Sequence, residues 1–423
     1  MACSYLYPTQ LNTKSTGELE VSLTTQAGLR PIPNATVQIS TADDPTHIIE
    51  ELHTDEGGNT PVIDLPTPPV EYSSEPDGPQ PYSEYNIYIT APGFRSVLVS
   101  GAEVYPSVMS LQNKAMEALP PGEEADTQRF VIPPNTLFGD YPPKIAEAEV
   151  KPMEESGEIV LSRVVIPEYI VVHDGPPTDN SATNYYVRYA DYIKNVASSE
   201  IYATWPEATI YANILAIMSF TLNRVYTEWY RNKGYDFTIT SSTAFDHKWI
   251  SGRNIFENIS VLVDSIFNNY LSRPGVKQPI LTQYCDGKRV TCPNWMTQWG
   301  SKSLGDQGYS AIQILRHFYG NNMYINTAQE ISGIPMSWPG YNLTIGSSGQ
   351  KVLQLQRQLN RIARTYSNLP KIAEDGIYGE ATAAAVRAFQ RQFNLPVTGV
   401  TDFATWYRIS AIYVGVTRIA ELM

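Results

Sequence analysis

Apolar and polar residues alternate along short stretches near the beginning of the chain. Four such stretches lie between residues 17 and 110, namely GELEVSLTT, ATVQIST, YNIYITA and RSVLVSGAEVY, and turns rich in proline, glycine and aspartate separate them. A period of two is typical of strands with one buried face, and short strands at this spacing indicate packed sheets. We therefore predict an antiparallel β-sandwich domain over residues 1–111.

The alternation is lost between residues 112 and 160. This segment contains repeated proline pairs, many acidic side chains and few long apolar runs. Proline and charge at this density disfavour a packed core and favour an exposed linker, the kind of segment that proteases cut. We predict an acidic, proline-rich linker over 112–160, with a cleavage site between Leu119 and Phe130.

Helical patterns dominate the stretch from Tyr189 to Trp229. A short amphipathic helix is predicted over 191–199, and a second helix follows a start signal with Thr204 as N-cap and Glu207 completing a capping box. Residues 210–222 are apolar on almost every face, which is typical of a helix buried inside a domain and is too short to span a bilayer.

Glu200 lies at the junction between these two predicted helices. A carboxylate held before a rigid buried helix is fixed in place and partly withdrawn from water. Such surroundings raise a carboxyl pKa and suit the group to general acid catalysis. Taken alone, these residues more often indicate an ordinary solvated glutamate in a loop.

Helical and strand patterns alternate over residues 161–335, which indicates an α+β domain. From Leu343 onward the apolar positions recur at helical spacing, and Asp375-Gly376 marks a tight turn before another helix. The residues alone predict a small helical bundle over 341–423.

Length and charge narrow the range of functions. A chain of 423 residues is too long for one ordinary core. Residues 1–160 hold 24 acidic and 7 basic side chains, whereas residues 161–423 hold 19 and 23. No cluster of lysine and arginine is dense enough for nucleic acid, and no apolar run reaches membrane-spanning length. The more basic part suits an anionic polymer such as peptidoglycan.

Cys285 and Cys292 lie seven positions apart across a predicted turn. A local disulfide, a pair of thiols and half of a metal site are all compatible with this spacing, and we favour a disulfide or thiol pair over a metal. The nearby Tyr284, Gln298 and Trp299 are residue types that stack on sugars or hydrogen-bond to them. Packing in the core is the alternative for these side chains.

Two blocks resemble the SpoIID family of sporulation lytic transglycosylases. The segment VASSEIYATWPEATIYANILAIMSFTLNR resembles the catalytic segment of that family, and CPNWMTQWGSKSLGDQGYSAIQILRHFYG resembles its second block. The resemblance implies a SpoIID-like domain over 161–335 with Glu200 as the catalytic acid. Within this domain we expect the following residues to bind substrate: Tyr284, Gln298, Trp299, Asp246 and His247.

The family's zinc ligands are not matched in this chain. Family members often carry cysteine and histidine in the segment that matches ITSSTAFDH, but Thr240 and Ala244 stand in those places. We therefore expect neither a metal nor another cofactor.

The two end segments resemble known modules as well. PIPNATVQI followed by YNIYITAPGFRS is similar to the transthyretin-like or carboxypeptidase-regulatory fold. LTIGSSGQKVLQLQRQLNRIA and DGIYGEATAAAVRAFQRQFNL resemble the peptidoglycan-binding domain with three helices. The whole layout is similar to the spore cortex-lytic enzymes of anaerobic spore formers.

This resemblance implies an enzyme that acts during spore germination. Its reaction would cleave the β-1,4 bond between N-acetylmuramic acid and N-acetylglucosamine and leave a 1,6-anhydro sugar, with an additional amidase activity credited to such enzymes. The charge difference between the two parts and the resemblance together suggest a zymogen, cut in the acidic linker by a subtilisin-like Csp protease.

Cortex peptidoglycan is the expected partner, and neither nucleic acid nor a membrane span is expected. The first residues have no basic and apolar signal pattern, so we expect synthesis in the mother cell and deposition around the spore. The competing hypothesis is a wall-binding scaffold without catalytic activity that presents glycan to an amidase or stimulates it.

Overall fold

The computed structural model describes residues 15–26, 29–123, 126–149, 151, 161, 163–328, 330–332 and 338–417. The end of the predicted linker at 152–160 and two residues of the predicted cleavage window, 124 and 125, lie outside this part of the chain.

The N-terminal domain consists mainly of strands. Its strands are β1 (Ser15–Thr25), β2 (Thr36–Thr41), β3 (Ile48–His53), β4 (Ile63–Thr67), β5 (Ser83–Thr90), β6 (Ser96–Val104), β7 (Met109–Met116) and β8 (Thr127–Val131).

The central domain combines short strands with longer helices. Its strands are β9 (Val165–Ile166), β10 (Tyr169–His173), β11 (Asn184–Arg188), β12 (Ile239–Thr240), β13 (Ile255–Phe256), β14 (Asn269–Ser272), β15 (Tyr284–Cys285), β16 (Met296–Thr297), β17 (Tyr324–Thr327) and β18 (Glu330–Ile331). Its helices are α1 (Tyr189–Glu200), α2 (Glu207–Tyr226), α3 (Glu257–Ile266), α4 (Gln298–Asp306) and α5 (Ala311–Tyr319).

Two mixed sheets share the apolar core of the N-terminal domain. One sheet has the strand order β3-β2-β5-β6-β8, and the other has the order β13-β7-β1-β4. In β1 the inward residues Leu19, Val21 and Leu23 are fully buried, and they pack with inward residues of β2, β5 and β6. The alternation in the sequence therefore did identify the buried faces.

The prediction of a purely antiparallel arrangement is wrong at two strand pairs. Strand β1 runs parallel to β7, and β6 runs parallel to β8. Parallel neighbours need long connections between them, so their pairing does not show in any local turn signal.

Among the described residues of the predicted linker, two stretches form strands. Residues 112–116 belong to β7, and 127–131 form the edge strand β8. Beyond β8 the chain runs along the central domain, where Glu147 pairs with the buried Arg224 and Glu149 pairs with Arg273. The sequence indicated exposure because these segments are rich in proline and acidic residues. The ion-pair partners of the acidic residues lie far away in the sequence, so the pairing was not visible there.

Helix α2 forms the centre of the central domain. Its residues Ile214, Leu215 and Phe220 are fully buried, and burial of each such side chain contributes about 1.5–3 kcal/mol. The predicted capping box is absent at this helix start: Pro206 occupies the N-cap position and no side chain caps the backbone. A proline at this position lacks only an N–H that the helix would leave unpaired.

The C-terminal domain consists of α6 (Gln350–Ile362), α7 (Glu380–Gln392) and α8 (Phe403–Thr417) around an apolar core. Aromatic contacts dock it on the central domain, where Phe267 lies 5.4 Å from Phe403 and 5.3 Å from Tyr407 between ring centres. In the described part of the chain, every helix is too short or too polar to cross a membrane.

Candidate functional site

Glu200 is the last residue of α1 and lies at the base of a groove of about 520 Å³. One wall of the groove consists of residues 139–144, which follow β8, and the other consists of residues 284–286 and 289–291. The side chain is only 3% exposed. The predicted junction between two helices thus places a buried carboxylate beside open space.

Two donors hold the carboxylate of Glu200. The backbone N–H of Lys248 donates to Oε1, and the hydroxyl of Tyr284 donates to Oε2. The backbone of Glu200 is fixed as well, because Gln298 Nε2 donates to its carbonyl oxygen over 2.8 Å. Both oxygens of the acid therefore have a defined position.

Burial raises the pKa of Glu200 above its ordinary value. The ammonium group of Lys144 opposes this shift, followed by the hydrogen bonds from Lys248 and Tyr284. A carboxyl group withdrawn from water keeps its proton to a higher pH, which is what a general acid requires.

Lys144 is a functional candidate that the sequence did not indicate. Its Nζ donates to the carbonyl oxygen of Asp246 and lies 5.2 Å from the ring centre of Tyr284. Burial lowers the pKa of Lys144, while the nearby Glu200 and Asp246 raise it. A lysine after a proline pair carries no recognisable signal, because only the path of residues 139–144 brings it to Glu200.

Tyr284 was predicted to bind sugar, but its hydroxyl is engaged by Glu200. Its ring stacks on His247 with 5.8 Å between ring centres and an angle of 13°. His247 Nδ1 in turn lies 3.1 Å from the hydroxyl of Tyr192. These contacts fix the orientation of Tyr284 and, through it, of the Glu200 carboxylate.

His247 is fully buried and does not line the groove, so the prediction of a direct substrate contact does not fit its position. Burial lowers the pKa of His247 well below its usual value, and the charges of Lys144 and Arg224 lower it further. This shift favours the neutral imidazole, and its place in the stack gives it a positioning role.

Asp246 is likewise removed from the groove, which corrects its predicted contact with substrate. Its Oδ1 accepts from Arg224 Nε over 2.7 Å, and its Oδ2 accepts from the hydroxyls of Tyr230 and Thr240. The carboxylate is fully buried and both of its oxygens already accept from buried donors, so a substrate in the groove does not reach it.

Gln298 and Trp299 occupy different surroundings. Gln298 lines the groove beside Glu200. Trp299 is partly buried and packs edge-on against Trp205 with 5.0 Å between ring centres. It lies outside the groove lining. Its position therefore agrees with packing in the core, the alternative to sugar binding for this side chain.

Cys285 and Cys292 form a disulfide in the structure, one of the three states compatible with their spacing. The bond closes the loop that forms the second groove wall. Within this loop the carboxylate of Asp286 accepts from the backbone N–H groups of Arg289 and Val290, both over 3.0 Å. Asp286 is thereby committed to its own turn.

No group of three or more metal-ligating side chains occurs among the residues that the structure describes. The groove instead offers one buried carboxylate, a lysine and several amide and hydroxyl groups. Such a set can bind a polar polymer and transfer a proton to it.

Comparison with known families identifies the C-terminal region. Residues 348–409 match the family model described as "Putative peptidoglycan binding domain", which covers α6, α7 and part of α8. The chain is therefore a multidomain protein with a peptidoglycan-binding domain at its C-terminal end, and peptidoglycan connects it to the bacterial cell wall. Comparison with curated proteins found no match.

Three solved structures illustrate the other likenesses. The N-terminal domain of SleB is 28% identical, with 18% of this chain and 99% of that chain covered and a TM-score of 0.16. GBS52, a minor pilin of Streptococcus agalactiae, is 14% identical over 26% and 48% of the two chains, with a TM-score of 0.19. Catechol 1,2-dioxygenase from Acinetobacter sp. ADP1 is 17% identical over 29% and 60%, also with a TM-score of 0.19. Scores this low carry no weight for fold or function.

Proposed function

We propose that this protein is a lytic transglycosylase of the SleC type, a spore cortex-lytic enzyme that cleaves the bond between N-acetylmuramic acid and N-acetylglucosamine. The observation that carries the proposal is the Glu200 carboxyl group, buried and doubly hydrogen-bonded at the base of a polar groove. The resemblance to the SpoIID family supports the same residue from the sequence.

The reaction requires one group that acts first as an acid and then as a base. The Glu200 carboxyl donates its proton to the glycosidic oxygen, and the bond from that oxygen to the anomeric carbon of N-acetylmuramic acid breaks. The C6 hydroxyl of the same sugar then bonds to the anomeric carbon, and its proton passes to the Glu200 carboxylate. The acid is restored, and no water is consumed.

A single carboxylate distinguishes this reaction from ordinary glycoside hydrolysis, in which a second carboxylate activates water or attacks the sugar. Asp286 lines the same groove, but its oxygens are held by its own turn. Asp140 is an exposed residue of the groove wall. Glu200 is the one groove carboxylate, among the described residues, that is deeply buried, and this burial raises its pKa.

The other domains supply attachment and control in this proposal. The peptidoglycan-binding domain keeps the enzyme on cortex around the spore, where the substrate is an insoluble polymer. The full-length chain is a zymogen that a subtilisin-like Csp protease cuts between Leu119 and Phe130, and germination starts the process. Within that window, residues 120–123 and 126 are exposed and lie between the paired strands β7 and β8.

Products distinguish this function from its rivals. A lytic transglycosylase brings cortex fragments into solution without creating new reducing ends, whereas a hydrolase creates one reducing end for each bond cut. A scaffold or amidase enhancer cuts no glycan bond at all. Reducing-end measurement on purified cortex, with protein already cut between Leu119 and Phe130 and with total soluble sugar measured in parallel, therefore tests the proposal. New reducing ends in proportion to soluble sugar, or no soluble glycan, would contradict it.

A further inference from the structure

We infer that a cut after Gly122, between β7 and β8, leaves the upstream fragment, which carries β1–β7 of the N-terminal domain, bound to the rest of the protein as a non-covalent subunit. The biological meaning of this inference rests on the proposed zymogen, but the binding itself does not depend on catalysis. The inference follows from the way in which strands, buried charges and apolar cores cross the boundary between the two parts.

Strands from the downstream part complete both sheets of the N-terminal domain. Strand β8 follows the loop and pairs with β6 from Ser96 to Ser100. Strand β13 of the central domain pairs with β7, with Ile255 opposite Leu111. A cut in the loop would therefore leave an edge strand of each sheet on the downstream fragment, and separation would break backbone hydrogen bonds at both edges.

A buried ion pair lies between the two parts. Arg253 Nη2 is 2.8 Å from Glu103 Oε2, and both side chains are at most 1% exposed. Asn254 of the downstream part exchanges two hydrogen bonds with the backbone of Glu103, at 3.1 and 2.7 Å. Separating the parts must either hydrate these groups or leave a charge unpaired, and an unpaired buried charge is costly.

The apolar cores also cross the boundary. Ile250 of the central domain belongs to the core of the N-terminal domain. In the reverse direction, Tyr105 of the N-terminal domain lies in the central core, with its ring centre 4.9 Å from that of Phe256. The indole of Trp205 donates to the carbonyl oxygen of Ser73 over 3.0 Å. Such interpenetration is typical of permanent rather than transient interfaces.

The C-terminal domain adds a second contact to the same fragment. Gln392 Nε2 donates to the carbonyl oxygen of Gly57 over 3.0 Å. The hydroxyl of Tyr366 donates to the carbonyl oxygen of Leu29 over 2.7 Å. The N-terminal domain is thus held from two sides. It also lies upstream of the groove wall at 139–144, which stays covalently attached to the downstream fragment after the cut.

If this inference holds, the cut does not by itself remove the upstream fragment. The cut alone leaves the wall at 139–144 in place and keeps the N-terminal domain docked. A gain of activity on cleavage would then have to come from a later, slower departure of the domain or from a local change near the new chain ends.

The experiment uses the full chain with the recognition sequence of a site-specific protease inserted after Gly122, an exposed loop position with open space around it. After complete cutting, the two fragments are expected to co-elute in native size-exclusion chromatography, at low salt and in 1 M salt, and to separate only in denaturant. Separation in native buffer would overturn the inference. Separation by salt alone would overturn it as well, because it would reduce the contact to screened surface charge.

Two variants test the named contacts in the cut protein. Arg253→Met is expected to speed dissociation of the fragments by about a hundredfold, because it leaves Glu103 buried and unpaired. Arg163→Met, which removes the exposed pair with Glu330, is the matched control and should not change the rate. If Arg253→Met does not fold, Trp205→Phe replaces it and should speed dissociation to a smaller extent. Unchanged rates in the folded variants would contradict the inferred interface, whether or not the protein cleaves glycan.

Discussion

Replacement of Tyr284 by phenylalanine tests how the groove controls its acid. The change removes the hydroxyl that donates to Glu200 Oε2 and keeps the ring that stacks on His247. Because this hydrogen bond favours the ionised carboxylate, it lowers the pKa of Glu200 against the larger effect of burial. Its loss should therefore raise that pKa further.

The size of the shift follows from the type of bond. A hydrogen bond to a charged group contributes about 1.5–3 kcal/mol, and one pKa unit corresponds to about 1.4 kcal/mol. The pKa of Glu200 in Tyr284→Phe should therefore rise by about one to two units. Since the reaction needs the protonated acid, the fall in rate at alkaline pH should move upward by the same amount.

The assay uses protein cut at the engineered site and measures the initial rate of 1,6-anhydro product formation on soluble cortex fragments across the pH range. Tyr211→Phe is the control, because this partly buried tyrosine lies on α2 outside the groove. If the alkaline limb of Tyr284→Phe stays in place while KM increases, Tyr284 acts as a sugar contact and the positioning role is refuted.

Two further outcomes follow from the fold. Contact with Arg224 and Lys151 lowers the pKa of Glu147 to about 2, against the effect of burial. The stability that Glu147 contributes is therefore fully present above its usual pKa of 4.5 and is lost as the pH falls toward 2. Glu147→Gln should lower the free energy of unfolding by about 3 kcal/mol at pH 7 in denaturant unfolding, and by progressively less in acid. A deficit that does not depend on pH would contradict this. Deletion from residue 343 onward should weaken sedimentation with cortex sacculi and spare slow cleavage of soluble fragments, and unchanged sedimentation would remove the wall-binding role from that domain.

Local patterns in the sequence were informative where the structure is locally determined. The alternation in β1 and the apolar face of α6, with Val352, Leu355 and Ile362, identified residues that are fully buried. Glu200 is the last residue of α1, which agrees with its predicted position at the junction between two helices. Periodicity depends on neighbouring residues, so a single sequence is enough to predict it. The start of α2 was not predicted in the same way, because Pro206 and not Thr204 occupies the N-cap position.

Features that depend on distant pairing were missed for a physical reason. The parallel pairs β1–β7 and β6–β8 join strands across long connections. Lys144 reaches Glu200 only because the chain beyond β8 crosses the central domain. Asp246 was expected in the substrate site, yet its carboxylate closes a buried network with Arg224. For Lys144 and Asp246 the residue type predicted a charge, but the tertiary structure decided what that charge contacts.

The most direct test of the central claim is mass spectrometry of the glycan ends released from purified cortex by the wild-type protein and by Glu200→Gln. Both are cut at the same engineered site and normalised to the amount bound. The amide keeps the shape of the side chain but has no acidic proton to donate to the glycosidic oxygen. The wild-type protein should release 1,6-anhydromuramoyl ends. Glu200→Gln should bind cortex equally well but release fewer than about one hundredth as many of these ends, because general acid catalysis contributes at least about a hundredfold to the rate. Retention of more than a few per cent of these ends by Glu200→Gln, or their absence from the wild-type digest, would contradict the account.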